Sequence, residues 1–372
     1  MICLTIKIFH TADLHIGMKF NRYPDGIRKD LVDARIHVLD NLVHMANDEE
    51  CNLFVIAGDL FDNIKVPQRY IDSVIASLDA FSGECIVIIP GNHDYDNGMI
   101  DLWNSFNSHL TEKIVYMNEE RPYDLTKYGL DAIVYPAPCH SKHSDVNNIG
   151  WIKDEMPFEP SLYHIGIAHG ALEGISPDLD KSYYYMSNSE LEQISVDTWL
   201  LGHTHVTYPE TDTIKGQRIF NPGTPEPDGF DCRHEGHAWI ITINKDKVVS
   251  AERATTGKFK FFDEVFHIVE DEDLYKLKDL VLKDNPNRKI VRMNLNGRIS
   301  SDAYSNRQNF YNELEKNLAY LEVKDSNLGI KVSKETIEKE FTSGSFPYHF
   351  LNALADDDEA LQIAYELIRE VM

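Results

Sequence analysis

Cysteine is sparse in this 372-residue chain. Cys3, Cys51, Cys85, Cys139 and Cys232 are odd in number, scattered, and contain no Cys-x-x-Cys pair. That pattern argues against a disulfide framework and for a reducing compartment, the cytoplasm. Positive charge is scarce too: 36 Lys and Arg stand against 61 Asp and Glu, a net charge of −25. Long apolar runs are missing. The greasiest stretch, Cys85 to Pro90, is strand-length, whereas a membrane helix needs about 20 apolar residues. Lys7 interrupts the first apolar run, which flows into polar residues without a small-residue cleavage site, so no signal peptide and no membrane association are expected.

The acidic balance weighs against a nucleic-acid partner, because duplex binders usually carry a basic face. Its distribution softens that objection. Residues 1–250 carry a balance of −19, residues 251–300 of +1, and residues 301–372 of −7. Binding depends on local patches and bound cations more than on the total. A 42% apolar and 10% aromatic content is ample for a large buried core, which excludes a disordered chain.

The first 250 residues alternate short apolar runs (Ile6 to His10, Leu53 to Ala57, Cys85 to Ile89, Asp131 to Tyr135, His164 to Ala168, Trp199 to Leu201, Arg218 to Phe220, Ala238 to Ile243) with amphipathic stretches at Arg28 to Ala46 and Val66 to Phe81. Unalternating apolar strands between helices predict an α/β fold with a sheet buried on both faces. From Lys258 the pattern predicts a compact βαβαβ appendage: strand to Val269, helix Asp271 to Leu282, strand Lys289 to Leu295, helix Ser301 to Leu318, strand Ala319 to Val323. After Pro347 it predicts two helices, the second with Leu361, Ala364, Tyr365, Ile368 and Met372 on one face. The expected domains are 1–257, 258–345 and a helical tail at 346–372.

Five polar clusters fall where the apolar runs stop, which is where open α/β sheets place ligands. They are Asp13-Leu14-His15, Gly58-Asp59-Leu60-Phe61-Asp62, Gly91-Asn92-His93-Asp94, His169-Gly170 and Gly202-His203-Thr204-His205. Mixed carboxylate, imidazole and amide donors suit a borderline divalent metal such as Mn, Fe or Zn. Seven such donors exceed one tetrahedral ion and suit two ions about 3.5–4 Å apart, sharing a carboxylate and holding a hydroxide nucleophile between them.

In order and rough spacing the clusters resemble the calcineurin-like metallophosphoesterase signature D-x-H, G-D-x-x-D, G-N-H-D, H and G-H-x-H. The strings HTADLHIG, AGDLFD, PGNHD, LGHTH and NPGTPEP resemble more narrowly the SbcD-type DNA double-strand-break repair nucleases. The resemblance implies a four-layer αββα sandwich with a smaller α/β capping domain and a C-terminal helical tail. It implies one metal held by Asp13, His15, Asp59 and His205, and a second by Asp59, Asn92, His169 and His203, with Mn²⁺ the ion expected at both. It gives His93 the role of facing the scissile phosphate and Asp94 that of orienting His93 through a hydrogen bond. Asp62 matches the last aspartate of G-D-x-x-D, in a structural part. The activity implied is a Mn-dependent DNA exonuclease or endonuclease acting on duplex ends, single strands or hairpins in repair or recombination. The partners implied are an SbcC-type SMC-like ATPase, held by the C-terminal helices, and a second copy of the chain, with Val66 to Phe81 and Met99 to Phe106 as interface helices.

A small-molecule (cyclic) nucleotide phosphodiesterase or phosphatase with the same metals is the alternative. A phosphoprotein phosphatase is disfavoured, because Asn63-Ile64 stands where that branch has Arg-Gly. Outside the clusters, His140 and His143, and Cys232, His234 and His237, are read as surface-loop residues. Lys283, Arg288, Lys289, Arg292 and Arg298 are read as a solvated face, and Tyr183 to Tyr185 as packing against the helix that follows.

Overall fold

An apolar strand with no polar alternation needs apolar partners on both of its faces, and the fold supplies them. The structure, a computed structural model, describes residues 5–155 and 159–371. Cys3 and Met372 therefore lie outside the described residues. The elements up to Lys260 are β1 (Thr5–Thr11), α1 (Asp25–Asp48), β2 (Leu53–Ala57), α2 (Gln68–Asp79), β3 (Cys85–Ile89), α3 (Asp101–Asn107), β4 (Ile114–Tyr116), β5 (Tyr123–Asp124), β6 (Ala132–Ala137), α4 (Ile152–Glu155), β7 (Tyr163–His169), α5 (Asn188–Gln193), β8 (Thr198–Gly202), β9 (Thr213–Lys215), β10 (Ile219–Phe220), β11 (His237–Asn244) and β12 (Val249–Thr255). They form a seven-stranded sheet in the order β4-β3-β2-β1-β11-β12-β9 and a five-stranded sheet in the order β10-β8-β7-β6-β5.

Three cores show the layering. Leu53, Val55 and Ala57 of β2 and Cys85, Val87 and Ile89 of β3 point into a core shared with Ile165, Ile167 and Leu200 of the other sheet. The intervening Phe54, Ile56, Ile86 and Ile88 point outward to Leu39, Leu42 and Val43 of α1 and Ile71 and Leu78 of α2. On the far side, Tyr135, Trp199 and Leu201 pack with Leu191 of α5. The expected αββα sandwich is present, and the two apolar faces of β2 and β3 serve two different cores. β1, β2, β3 and β4 run parallel, as do β6, β7, β8 and β10, so each sheet gathers its strand ends at one edge.

The second compact unit begins at Phe261. Its elements are β13 (Lys260–Ile268), α6 (Glu272–Leu282), β14 (Lys289–Ile299), α7 (Ser301–Glu315), β15 (Tyr320–Ile330), α8 (Lys334–Glu340), α9 (Phe346–Ala353) and α10 (Asp358–Val371). The sheet order is β13-β14-β15. β14 and β15 each continue past the expected ends at Leu295 and Val323, because parallel pairing carries on beyond a bulge at Asn294 to Asn296. Helix α8 has no apolar periodicity long enough to read from sequence; a Ser333–Thr336 capping box starts it. With α9, α10 and Val332 it builds a separate small core of Ile337, Phe341, Leu351, Leu361, Ala364 and Tyr365. Among the described residues no helix is long and apolar enough to cross a membrane.

Candidate metal centre

Each cluster begins where a strand stops pairing. Asp13 and His15 follow β1, and their amides donate to the Gly58 and Asp59 carbonyls at 3.1 and 2.9 Å, tying the first loop to the second. Asp13, His15, Asp59 and His203 all have positive φ (57°, 47°, 52° and 99°). L-residues seldom accept this conformation, which recurs at functional sites where packing enforces it. Two glycines make room for the cluster. A Cβ at Gly58 would run into the His169 ring, and one at Gly91 into the Asp59 carboxylate.

All seven candidate ligands converge. His15 Nε2 lies 3.1 Å from His205 Nε2 and 3.6 Å from Asp59 Oδ2, and His205 Nε2 lies 3.8 Å from Asp13 Oδ1. His169 Nε2 is 3.4 Å from Asp59 Oδ2. Asn92 Oδ1 meets His169 Nε2 at 3.0 Å and His203 Nδ1 at 2.9 Å. Ligand atoms of Asp13, His15 and His205, of His15, Asp59 and His93, and of Asp13, Asp59 and His169 lie within 4.8 Å of one another. Lone-pair donors crowded this closely repel unless a proton or a cation sits among them. Asn92 Nδ2 and His15 Nδ1 are buried with no hydrogen-bond partner among the described residues. The crowded carboxylate, imidazole and amide-oxygen donors fit a pair of divalent cations. Asp13, His15, Asp59 and Asn92 follow strands of the seven-stranded sheet; His169, His203 and His205 belong to the five-stranded one.

The electrostatics show what balances the charges without a cation. Burial lifts Asp13 to about 6, against the pull of His169 and His205. Burial, reinforced by the Asp59 charge, lifts Asp94 to about 7. Asp59 is held below the usual carboxylate range although burial opposes this, because His169 charges beside it. Burial works against charging His169, but Asp59 outweighs it and raises the imidazole to about 9. His205 reaches about 9 against burial because it is bonded to Asp228. Burial and then the His169 charge bring His203 down to about 3. Protons on His169 and His205 thus neutralise the buried carboxylates.

Three expectations need correcting. The Asp94 carboxylate accepts from the Phe61 and Gly91 amides at 3.0 and 2.7 Å, and His93 Nδ1 bonds instead to the Asp62 carbonyl at 3.1 Å. Asp94 therefore shapes the Gly91–His93 loop, and the backbone of Asp62 orients the ring. Cys232 and His237 are buried, not loop-surface, residues: Cys232 Sγ lies 3.3 Å from His234 Nε2, and His237 Nδ1 lies 2.8 Å from Thr207 Oγ1. Tyr183 stacks on His203 with centroids 5.1 Å apart, and does not serve the following helix alone. Sequence reading missed Asp228, 3.0 Å from His205 Nδ1, and the fully buried Arg35, whose Nη1 reaches the Leu14 carbonyl at 3.0 Å. Neither lies in a strand-end cluster, so no local signal marked them.

Metal ligands must be deprotonated, so cation binding at pH 7 should displace protons from His169 and His205. Affinity should strengthen as pH rises from 7 toward 9, and proton release should fade above that. Calorimetry with Mn²⁺ in two buffers of different ionisation heat measures the release; identical heats in both would contradict it. Gly91→Ala should displace the Asp59 carboxylate and abolish Mn²⁺ binding while circular dichroism stays native.

A protein of Thermus thermophilus is similar in structure at 11% identity and a TM-score of 0.41, over 68% of this chain and 99% of that one. A dimetal phosphatase from Danio rerio is similar at 12% identity and a TM-score of 0.33, over 68% of this chain and 98% of that one. Residues 6–207, more than half of the chain, match the calcineurin-like phosphoesterase family, and the chain belongs to that family of phosphoester hydrolases.

Proposed function

We propose that this chain is a Mn²⁺-dependent DNA nuclease subunit of the SbcD type. The observation that carries this reading is the cleft above the seven converging side chains. It encloses about 1340 Å³, with Asp59, Asn92, His93, His203 and His205 at its floor. Small-ligand sites usually span about 300–1,000 Å³, so the size suits a polymer with phosphates on either side of the scissile one. Bound there, two divalent cations supply Lewis-acid activation of water and neutralise charge on the phosphoryl oxygens. Asp59 bridges the two ligand sets. Its second oxygen, Oδ1, accepts from the His93 amide at 2.8 Å, which fixes the carboxylate's rotation. With His93 Nδ1 committed to the Asp62 carbonyl, Nε2 is the nitrogen left to protonate the leaving oxygen.

Asp178, Asp180, Glu210, Asp228 and Asp231 also line the cleft and would repel a long polyanion. They favour a second reading, a small cyclic or dinucleotide phosphodiesterase. Purified chain with Mn²⁺ on linear duplex DNA, single strands, hairpins and a cyclic dinucleotide separates the two. Turnover of the last alone would overturn the DNA reading. His93→Ala should lower hydrolysis by about 10²- to 10⁴-fold with metal content unchanged. Asp59→Asn should lose metal as well as activity, and elemental analysis distinguishes the two variants.

For partners we propose DNA, a second copy of the chain through α2 and α3, and an SbcC-type SMC-like ATPase in the cytoplasm. An apolar strip on α9 and α10 supports the last: Phe346, Phe350, Ile363, Leu367 and Val371 are exposed and border a groove of about 610 Å³. Helix-in-groove contacts use such strips. Leu367 lies outside the small core beneath, so Leu367→Asp should keep the fold and weaken capture of a coiled-coil ATPase at least tenfold. Unchanged capture would remove that partner.

A further inference from the structure

The Asn221-Pro-Gly-Thr-Pro-Glu-Pro227 segment and Asp228 after it contribute no candidate ligand, yet they hold one of the two ligand sets from several sides. Three consecutive carbonyls around His205 are taken by side chains. Asn221 Nδ2 donates to the Thr204 and Val206 carbonyls at 2.6 and 2.7 Å, and His234 Nε2 donates to the His205 carbonyl at 2.6 Å. His234 is fixed in turn, since the Gly236 amide donates to its Nδ1 at 3.0 Å. At the other end of the segment the Thr224 hydroxyl lies 2.9 Å from the Asp13 carbonyl. Arg35 Nη1 donates to Thr224 Oγ1 at 3.1 Å and Nη2 to the Glu226 carbonyl at 2.6 Å. The Glu226 carboxylate accepts from the Lys258 and Phe259 amides at 2.6 and 2.9 Å, which anchors the whole segment. Asp228 then presents Oδ2 to His205 Nδ1 at 3.0 Å, while Arg22 Nη2 donates to the Asp228 carbonyl at 3.3 Å.

The consequence is geometric. With Nδ1 committed to Asp228, His205 directs Nε2 at His15 and Asp13, and rotation about its ring axis would break that bond. A carboxylate behind a ligating imidazole fixes ring orientation and raises ligand basicity, and its loss typically costs about 10- to 100-fold in metal affinity. The other set is supported differently. His169 Nδ1 is held by the Ala57 carbonyl at 2.8 Å, and His203 is stacked on Tyr183.

We infer that Asp228 is a positioning residue for the Asp13/His15/Asp59/His205 set alone, held in place by the Asn221–Pro227 segment. The two cation sites thus differ in what stands behind their imidazoles. This rests on the two-metal reading of the centre given above.

Mn²⁺ titration of the full metal-free chain by calorimetry tests it, with wild type, Asp228→Asn and Asp228→Ala compared. Wild type should bind two ions. Asp228→Asn should keep the native circular dichroism, with a lower metal-free melting temperature from loss of the His205–Asp228 pair, and bind one ion with unchanged affinity and the other about 10- to 100-fold more weakly. Asp228→Ala should weaken the same ion further. A second readout is hydrolysis of bis(p-nitrophenyl) phosphate. In Asp228→Asn the half-saturating Mn²⁺ concentration should rise by the same factor, with the rate at saturating Mn²⁺ recovered to within about threefold; a general structural defect would not be rescued by metal. Two ions bound by Asp228→Asn with wild-type affinities would overturn the positioning role and leave the metal centre standing. A wild-type chain that binds no ions would overturn the metal centre itself.

Discussion

Two carboxylates buried within a few ångströms of each other are the constraint on which this molecule turns. Asp13 and Asp59 are almost completely excluded from water. Buried charges persist only when paired, protonated or bound to a cation. The fold answers with imidazoles: His169 and His205 carry the compensating protons when no metal is present, and the same nitrogens are the ones a metal would take. Proton and cation therefore compete for one location.

Two parallel runs of strands make that crowding possible. Parallel strands end together, so loops distant in sequence meet at one edge: the registers Ala57 with Ile89 and His169 with Gly202 place the second and third clusters, and the fourth and fifth, side by side. The strain is local. Four of the nine site residues named from sequence adopt positive φ, while β2 and β3 beside them are regular and fully buried.

Much of this was legible in the residues. Apolar runs that end abruptly at Asp, Asn, His or Gly marked the strand ends, and β2 and β3 match their expected bounds at Leu53–Ala57 and Cys85–Ile89. The convergence of the seven donors was legible because each sits beside such an end. Short strands such as β5 and β9 were not, since two or three residues carry no periodicity and their pairing comes from tertiary context. The roles of Asp228, Arg35 and Asn221 were invisible for another reason. They act across separations of 23, 21 and 15 residues, on His205, on Leu14 and on the Val206 carbonyl, through contacts that no local pattern encodes. Asp94 misled because the family resemblance assigned it to His93, whereas its carboxylate is taken by two backbone amides.

Because four of the converging donors hang from one sheet and three from the other, the centre also acts as a gauge of alignment between the layers. One residue of slip shifts a strand by about 3.3 Å, comparable to the whole spacing between His169 and Asp59. Shear of that size would take imidazole nitrogens out of reach of their carboxylates. An occupied centre would rivet the sandwich against such sliding, so that the chemistry and the mechanical integrity of the fold are secured at the same point.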